Sequence, residues 1–358
     1  MRTRINDQRK PAMTRQILAL AAALVLGAPA LLPSEAAAAE ALRLLDRTEL
    51  ATYKGDFDHF AADVKGNRLF LAGEDGGTLE VFDLRSGKHL KSVPGLQTPH
   101  AIHYMPDTNR LLVTDSGKGM TKLIDGKTYR IIGTVKLTPG ADAMGYDPST
   151  RRAWIVTGGK NAEPKLEKIV VSEVDPATGR RLGDLHFDTD FTEAVVAEQH
   201  GHRLFVNVAG RSEVAVVDKA SRRVVRTWPV QEGEQNSAME LDEVNQRLFI
   251  VTRKPFKLVV LDTASGRSVA SFDAPQRTNG LVFDAQNRRL YLTGDDHVAV
   301  FQQHDADHYE ELARVPSDTG AKTAILVPEL NLLYVAVAGK GNTRAGVLRY
   351  AVLPADRP

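Results

Sequence analysis

A chain of 358 residues carrying 46 basic and 45 acidic side chains has a formal net charge of +1, which argues against a broad phosphate-binding surface. Apolar residues make up 42% and charged ones 25%, an ordinary balance for a globular core. There is no cysteine, which excludes disulfides, thiolate metal centres, covalently attached haem and a cysteine nucleophile.

The first element is a leader. Arg2, Arg4, Arg9, Lys10 and Arg15 precede an apolar run over residues 17–26, which Pro29 and Pro33 then break. Small residues follow at positions 36–39, so residues 1–39 read as a signal peptide cleaved just before Glu40 or Ala41, with Met1 or Met13 as the start. The run is too short and interrupted to span a bilayer. The expected product is a periplasmic or secreted protein, residues 40–358, with no membrane span after removal of the leader.

The remainder repeats one sentence seven times: a short strand, a polar turn, a strongly apolar strand, a second turn and a third strand. Aligned on the apolar strand, the units begin at Arg68, Arg110, Arg152, Arg203, Arg247, Arg289 and Leu332, with spacings of 42, 42, 51, 44, 42 and 43 residues. Only the third unit breaks step, because Gly158-Gly159-Lys160 and the residues after it lengthen a loop. These strands (LFLAG, LLVTD, LFIVT, LYLTG) are rich in β-branched and aromatic residues, and the turns between them supply Asp, Asn, Pro and Gly. A period near 42 without helical periodicity predicts an all-β, seven-bladed β-propeller of four-stranded antiparallel blades. Residues 42–50 (LRLLDRTEL) read as a fourth strand, and the last unit stops after its third, GVLRYAVL. The N-terminal strand is therefore expected to close the last blade and remove exposed edges. The RLYVT-like strands, the D-x-x-x-G-K/R turns and the period resemble the YVTN-repeat family of bacterial β-propellers across residues 41 to 353. That resemblance implies a fold rather than a reaction.

Ten residues before each aligned position lies the start of an inner strand, occupied by Asp58, His100, Asp142, Glu193, Ser237, Asn279 and Lys322. The inner strands all run the same way, so these residues should form one ring at one mouth of the central tunnel. A shorter turn in the first unit leaves Asp58 or His59 for that place. Loops joining the second and third strands lie on the same face and bring Glu74, Asp115, Asn207, Arg253 and Lys254 to the rim. Lys160, Asn161, Arg211 and Lys340 lie there too. Variable loops on one face of a rigid scaffold are where such a protein places its function.

His59, His100, Asp142 and Glu193 come from consecutive blades and are a suitable donor set for a divalent metal, although hydrated tunnel lining has the same composition. The preferred reading is a monomeric binding scaffold, without an assured cofactor, that takes a small polar or anionic ligand, a partner protein or a cell-surface component at the mouth. The rival is a metal-dependent hydrolase or lyase at the same place, by analogy with lactone-hydrolysing propellers. Single-stranded nucleic acid binding is associated with similar YVTN propellers. The near-neutral charge and 6% aromatic share argue against it here. His304 and His308 read as solvated surface residues, and Trp154 and Trp228 as packing residues.

Overall fold

The computed structural model describes residues 41–117 and 120–354, so the expected leader lies outside the described residues. Its strands form seven four-stranded antiparallel sheets. The first blade is β2–β5 (residues 60–94), the second β6–β9 (99–136) and the third β10–β13 (144–187). The fourth is β14–β17 (194–229), the fifth β18–β21 (239–273) and the sixth β22–β25 (280–316). The seventh takes β26–β28 (321–352) and is completed by β1 (Leu42–Glu49). The pairing of β1 with β28 runs from Leu42 opposite Val352 to Glu49 opposite Gly346, with one irregularity between Leu44 and Asp46. Helical structure among the described residues is confined to three one-turn 3-10 segments, Gly159–Asn161, Ala209–Arg211 and Pro328–Leu330. None of it is long and apolar enough to cross a membrane.

The apolar second strands sit in the middle of each sheet with neighbouring blades against both faces. That is why RLFLAG (Arg68–Gly73) and RLLVTD (Arg110–Asp115) are buried at every position after the arginine. Seven apolar clusters result, one at each blade–blade interface. Trp154 packs between the third and fourth blades and Trp228 between the fourth and fifth, as packing residues should.

The arginine that opens the second strands has a repeated duty. Arg68 pairs with Asp63 in its own blade and donates to the Gly126 carbonyl of the next. Arg203 pairs with Glu198 and donates to the Thr263 carbonyl, and Arg247 donates to the Ala306 carbonyl at 3.0 Å. Arg289 reaches the Leu353 carbonyl at 2.7 Å. The seventh unit has Leu332 there, and Tyr334 instead donates to the Leu84 carbonyl of the first blade. Each clamp satisfies a turn carbonyl that would otherwise face the seam between blades.

At the hub, the first strand of every blade heads its sheet and leaves one edge facing a tunnel that encloses a cavity of about 400 Å³. Hydrogen bonds tie a blade to the segment entering the next blade's inner strand: Thr114 Oγ1 to the Asp142 carbonyl (2.7 Å), Asn207 Nδ2 to the Ser237 carbonyl (2.8 Å), and Thr323 Oγ1 to the Asp58 carbonyl (2.7 Å). Crowding explains one glycine in this layer. A Cβ on Gly280 would lie 2.8 Å from the Ala324 nitrogen.

Candidate ligand site at the tunnel mouth

Ring closure delivers residues far apart in sequence to one cavity of about 330 Å³ at the tunnel mouth. Its walls include Asp58, Glu74, His100, Asp142, Glu193, Arg253, Asn279 and Lys322. Lys160, Asn161, Phe256 and Arg277 complete them. Glu193 and Asn279 also border the tunnel cavity beneath, so the two spaces share a wall.

Five other expected site residues lie elsewhere. His59 and Ser237 line the tunnel instead of the mouth. Asp115 is buried, its carboxylate accepting from the backbone nitrogens of Gln97 and Thr98 at 3.0 and 2.8 Å, so it braces a loop. Asn207 is fully buried as the tie between blades already described. Lys254 lines a separate groove outside the mouth. Arg277 and Phe256 were not expected from the sequence, nor was Asp56, which pairs with Lys322. Arg277 sits two residues before ring residue Asn279 with a φ of 60°, a left-handed position that loop-length comparison between repeats does not reveal.

The acidic arc is built around His100. Its Nδ1–H donates to Asp58 Oδ2 at 2.8 Å, Asp142 Oδ1 lies 3.5 Å away, and Nε2 is 3.1 Å from Ser116 Oγ. Burial opposes the charge on this ring, yet the carboxylates of Asp142 and Asp58 overcome it and push its pKa up to about 10. His100 is thus an imidazolium that donates from both nitrogens. Burial likewise opposes ionisation of Asp58, but His59, His100 and Lys322 hold its carboxyl well below the usual range. Asp142 goes the other way. Burial, with the charges of Glu193 and Asp58, raises it to about 6 against the pull of His100, while Asn161 Nδ2 donates to it at 2.5 Å. Burial and the charge of Asp58 raise Glu74 to about 7, although Lys322 is only 3.4 Å away.

Ser116, His100 and Asp58 follow the order of nucleophile, base and orienting carboxylate. The second carboxylate makes the difference. An imidazole that keeps its proton to about pH 10 cannot take one from Ser116 near neutrality, and Ser116 does not border the mouth cavity.

The expected metal set of His59, His100, Asp142 and Glu193 does not converge. Asp58, His100 and Asp142 do, each with one donor atom within 4.8 Å of the others. Glu193 is turned to the opposite arc, where Arg253 holds it by two hydrogen bonds of 3.0 and 3.2 Å and Lys160 approaches at 3.3 Å. A cation on the trio would have to displace the His100 proton. It would satisfy Asp58 Oδ1, a buried oxygen with no hydrogen-bond partner among the described residues.

The basic arc holds Lys160, Arg253, Arg277 and Lys322. Lys322 is paired with Asp56 at 3.1 Å and Glu74 at 3.4 Å. Arg277 is the least engaged: its guanidinium lies 3.8 Å from Asp56 and 3.8 Å from Asp295, beyond hydrogen-bond distance of either. With His100 protonated, five positive groups line the mouth with four carboxylates (Asp58, Glu74, Asp142 and Glu193), and Asp56, paired with Lys322 beside it, makes a fifth.

His304 and His308 are exposed and paired with Glu310 and Asp305 on the sixth blade. No protein-family model and no curated protein matches the chain. Among solved structures it is similar to a chain of Kuenenia stuttgartiensis hydrazine synthase, with a TM-score of 0.69 at 17% identity, over 86% of this chain and 99% of that one. A likeness at that identity speaks to fold alone. Strand order and structural similarity agree that this chain is a seven-bladed β-propeller.

Proposed function

We propose that the protein is an exported binding scaffold of the YVTN-repeat type whose tunnel mouth takes a small anionic ligand, one bearing a carboxylate or a phosphate. The basic leader supports export to the periplasm or the cell exterior, and the repeat strands support the family. The observation that carries the ligand class is Arg277. It is a guanidinium at the cavity wall, out of hydrogen-bond reach of its neighbouring carboxylates and so free to engage a ligand. A planar fork of donors suits carboxylate or phosphate oxygens held bidentately. Asn161 and Asn279 add neutral donors and acceptors that fix orientation without adding charge. The test is thermal unfolding with citrate, phosphate, sulfate and D-glucuronate at constant ionic strength. At least one should raise the melting temperature saturably, and Arg277→Ala should abolish the rise. No saturable shift with any of them would refute the anionic class.

A second reading has its own support in the converged Asp58, His100 and Asp142 and the orphaned Asp58 oxygen. In that reading the trio holds a divalent cation for hydrolase or lyase chemistry. Elemental analysis of protein purified without chelator separates the readings: metal well below about 0.1 equivalents removes the second.

A further inference from the structure

Beside the mouth, between the fourth and fifth blades, lies a groove of about 940 Å³ that the ligand reading above does not use. Three cations (Lys160, Arg211 and Lys254) balance three carboxylates (Asp190, Glu232 and Glu234) along it. Nine of its fifteen lining residues carry polar or charged side chains. Such a groove offers donors and acceptors in similar number and no net charge. A polyhydroxylated ligand fits it, because every hydroxyl both donates and accepts. Neither a purely apolar body nor a polyanion does.

The groove and the mouth meet at Lys160, which lines both. Its ammonium lies 3.1 Å from the centre of the Phe191 ring and 3.3 Å from Glu193 Oε1, so one side chain covers the aromatic face of the groove while facing the mouth. Arg253 and Lys254, consecutive in sequence, divide in the same way, one lining each space.

From this juxtaposition we infer that the ligand is an acidic oligosaccharide: its one anionic sugar sits in the mouth against Arg277, and its neutral sugars extend past Lys160 into the groove. This rests on the anionic reading of the mouth and deepens it. Lys160 turns toward the bound carboxylate and uncovers Phe191, whose face then receives the first neutral sugar ring. Exposed groove carboxylates such as Asp190 and Glu234 accept from sugar hydroxyls.

Calorimetric titration with three probes tests this: D-glucuronate, aldotetraouronic acid (one glucuronic acid on a neutral xylo-oligosaccharide) and neutral xylotetraose. The acidic tetrasaccharide should bind about tenfold or more tightly than glucuronate, and xylotetraose should show no heat of binding. Lys254→Ala should bring the tetrasaccharide down to the affinity of glucuronate. If that variant fails to fold, Arg211→Ala, at an exposed rim position, should lower the tetrasaccharide's affinity alone. Equal affinity for the tetrasaccharide and glucuronate would overturn the groove assignment and leave the mouth reading standing. Xylotetraose binding as tightly as the acidic probe would overturn the anionic anchor. Failure of both acidic probes, with no response to the other anions, would refute the mouth reading itself.

Discussion

His100 shows how one side chain decides what the site can do. Two carboxylates within 3.5 Å fix its proton and remove it as a base near neutral pH. The same linkage makes a stability statement. A histidine whose folded pKa is raised to about 10 contributes stability that is complete below its ordinary value of 6.5 and lost as pH rises through about 10. His100→Gln should therefore cost most stability below pH 6.5 and flatten the decline of melting temperature toward pH 10, as read by thermal unfolding across that range. An equal loss at every pH would show that His100 is not charged in the fold. Glu240 supplies a second case in the tunnel wall. Desolvation of this half-buried group raises its carboxyl to about 8, and among the described residues no hydrogen bond or cation offsets it. Its folded state favours the protonated form, so its ionisation destabilises the protein as pH climbs from 4.5 through about 8. Glu240→Gln should raise the melting temperature above pH 8 and leave it unchanged at pH 4.

At the scale of the element, the arginine that opens most second strands was legible as a repeat mark but not as a clamp. For Arg68, Arg203, Arg247 and Arg289 the partner carbonyl lies some sixty residues away, and nothing local in the sequence announces that contact. Arg203→Ala removes the partner of the buried Glu198 and orphans the Thr263 carbonyl. It should cost about 2–3 kcal/mol in chemical denaturation, a loss typical of breaking a buried pair that is partly open to water. A loss under about 0.5 kcal/mol would return the arginine to the class of surface ion pairs. The closing strand was legible because β1 and the last blade each lacked what the other carried. Truncation to residue 51 removes β1 and bares the whole edge of β28, so the shortened protein should lose cooperative unfolding and aggregate, as read by light scattering. Cooperative unfolding at an unchanged temperature would contradict that role.

For the whole molecule, seven near-equal repeats made the ring countable. Near-constant turn lengths carried the reading from each aligned position back to Asp58, His100, Asp142, Glu193, Asn279 and Lys322, which border the mouth, and to Ser237, which lines the tunnel. The reading weakened where backbone direction, not residue type, decides placement. Asp115 and Asn207 lie at or near strand ends and turn inward to satisfy backbone groups. Lys254 follows Arg253, and neighbours on an extended chain point opposite ways. Arg277 stayed hidden because it comes from a loop whose left-handed residue aims it inward. The metal set changed for an electrostatic reason: Glu193 found Arg253, from the next blade, while Asp58 remained beside His100.

The most direct test of the mouth as a ligand site is a crystal structure of the protein grown with saturating D-glucuronate. The account predicts carboxylate density within hydrogen-bond distance of Arg277, with Lys160 and Arg253 beside it. Glucuronate ordered only at other surfaces, with the mouth holding water alone, would contradict it.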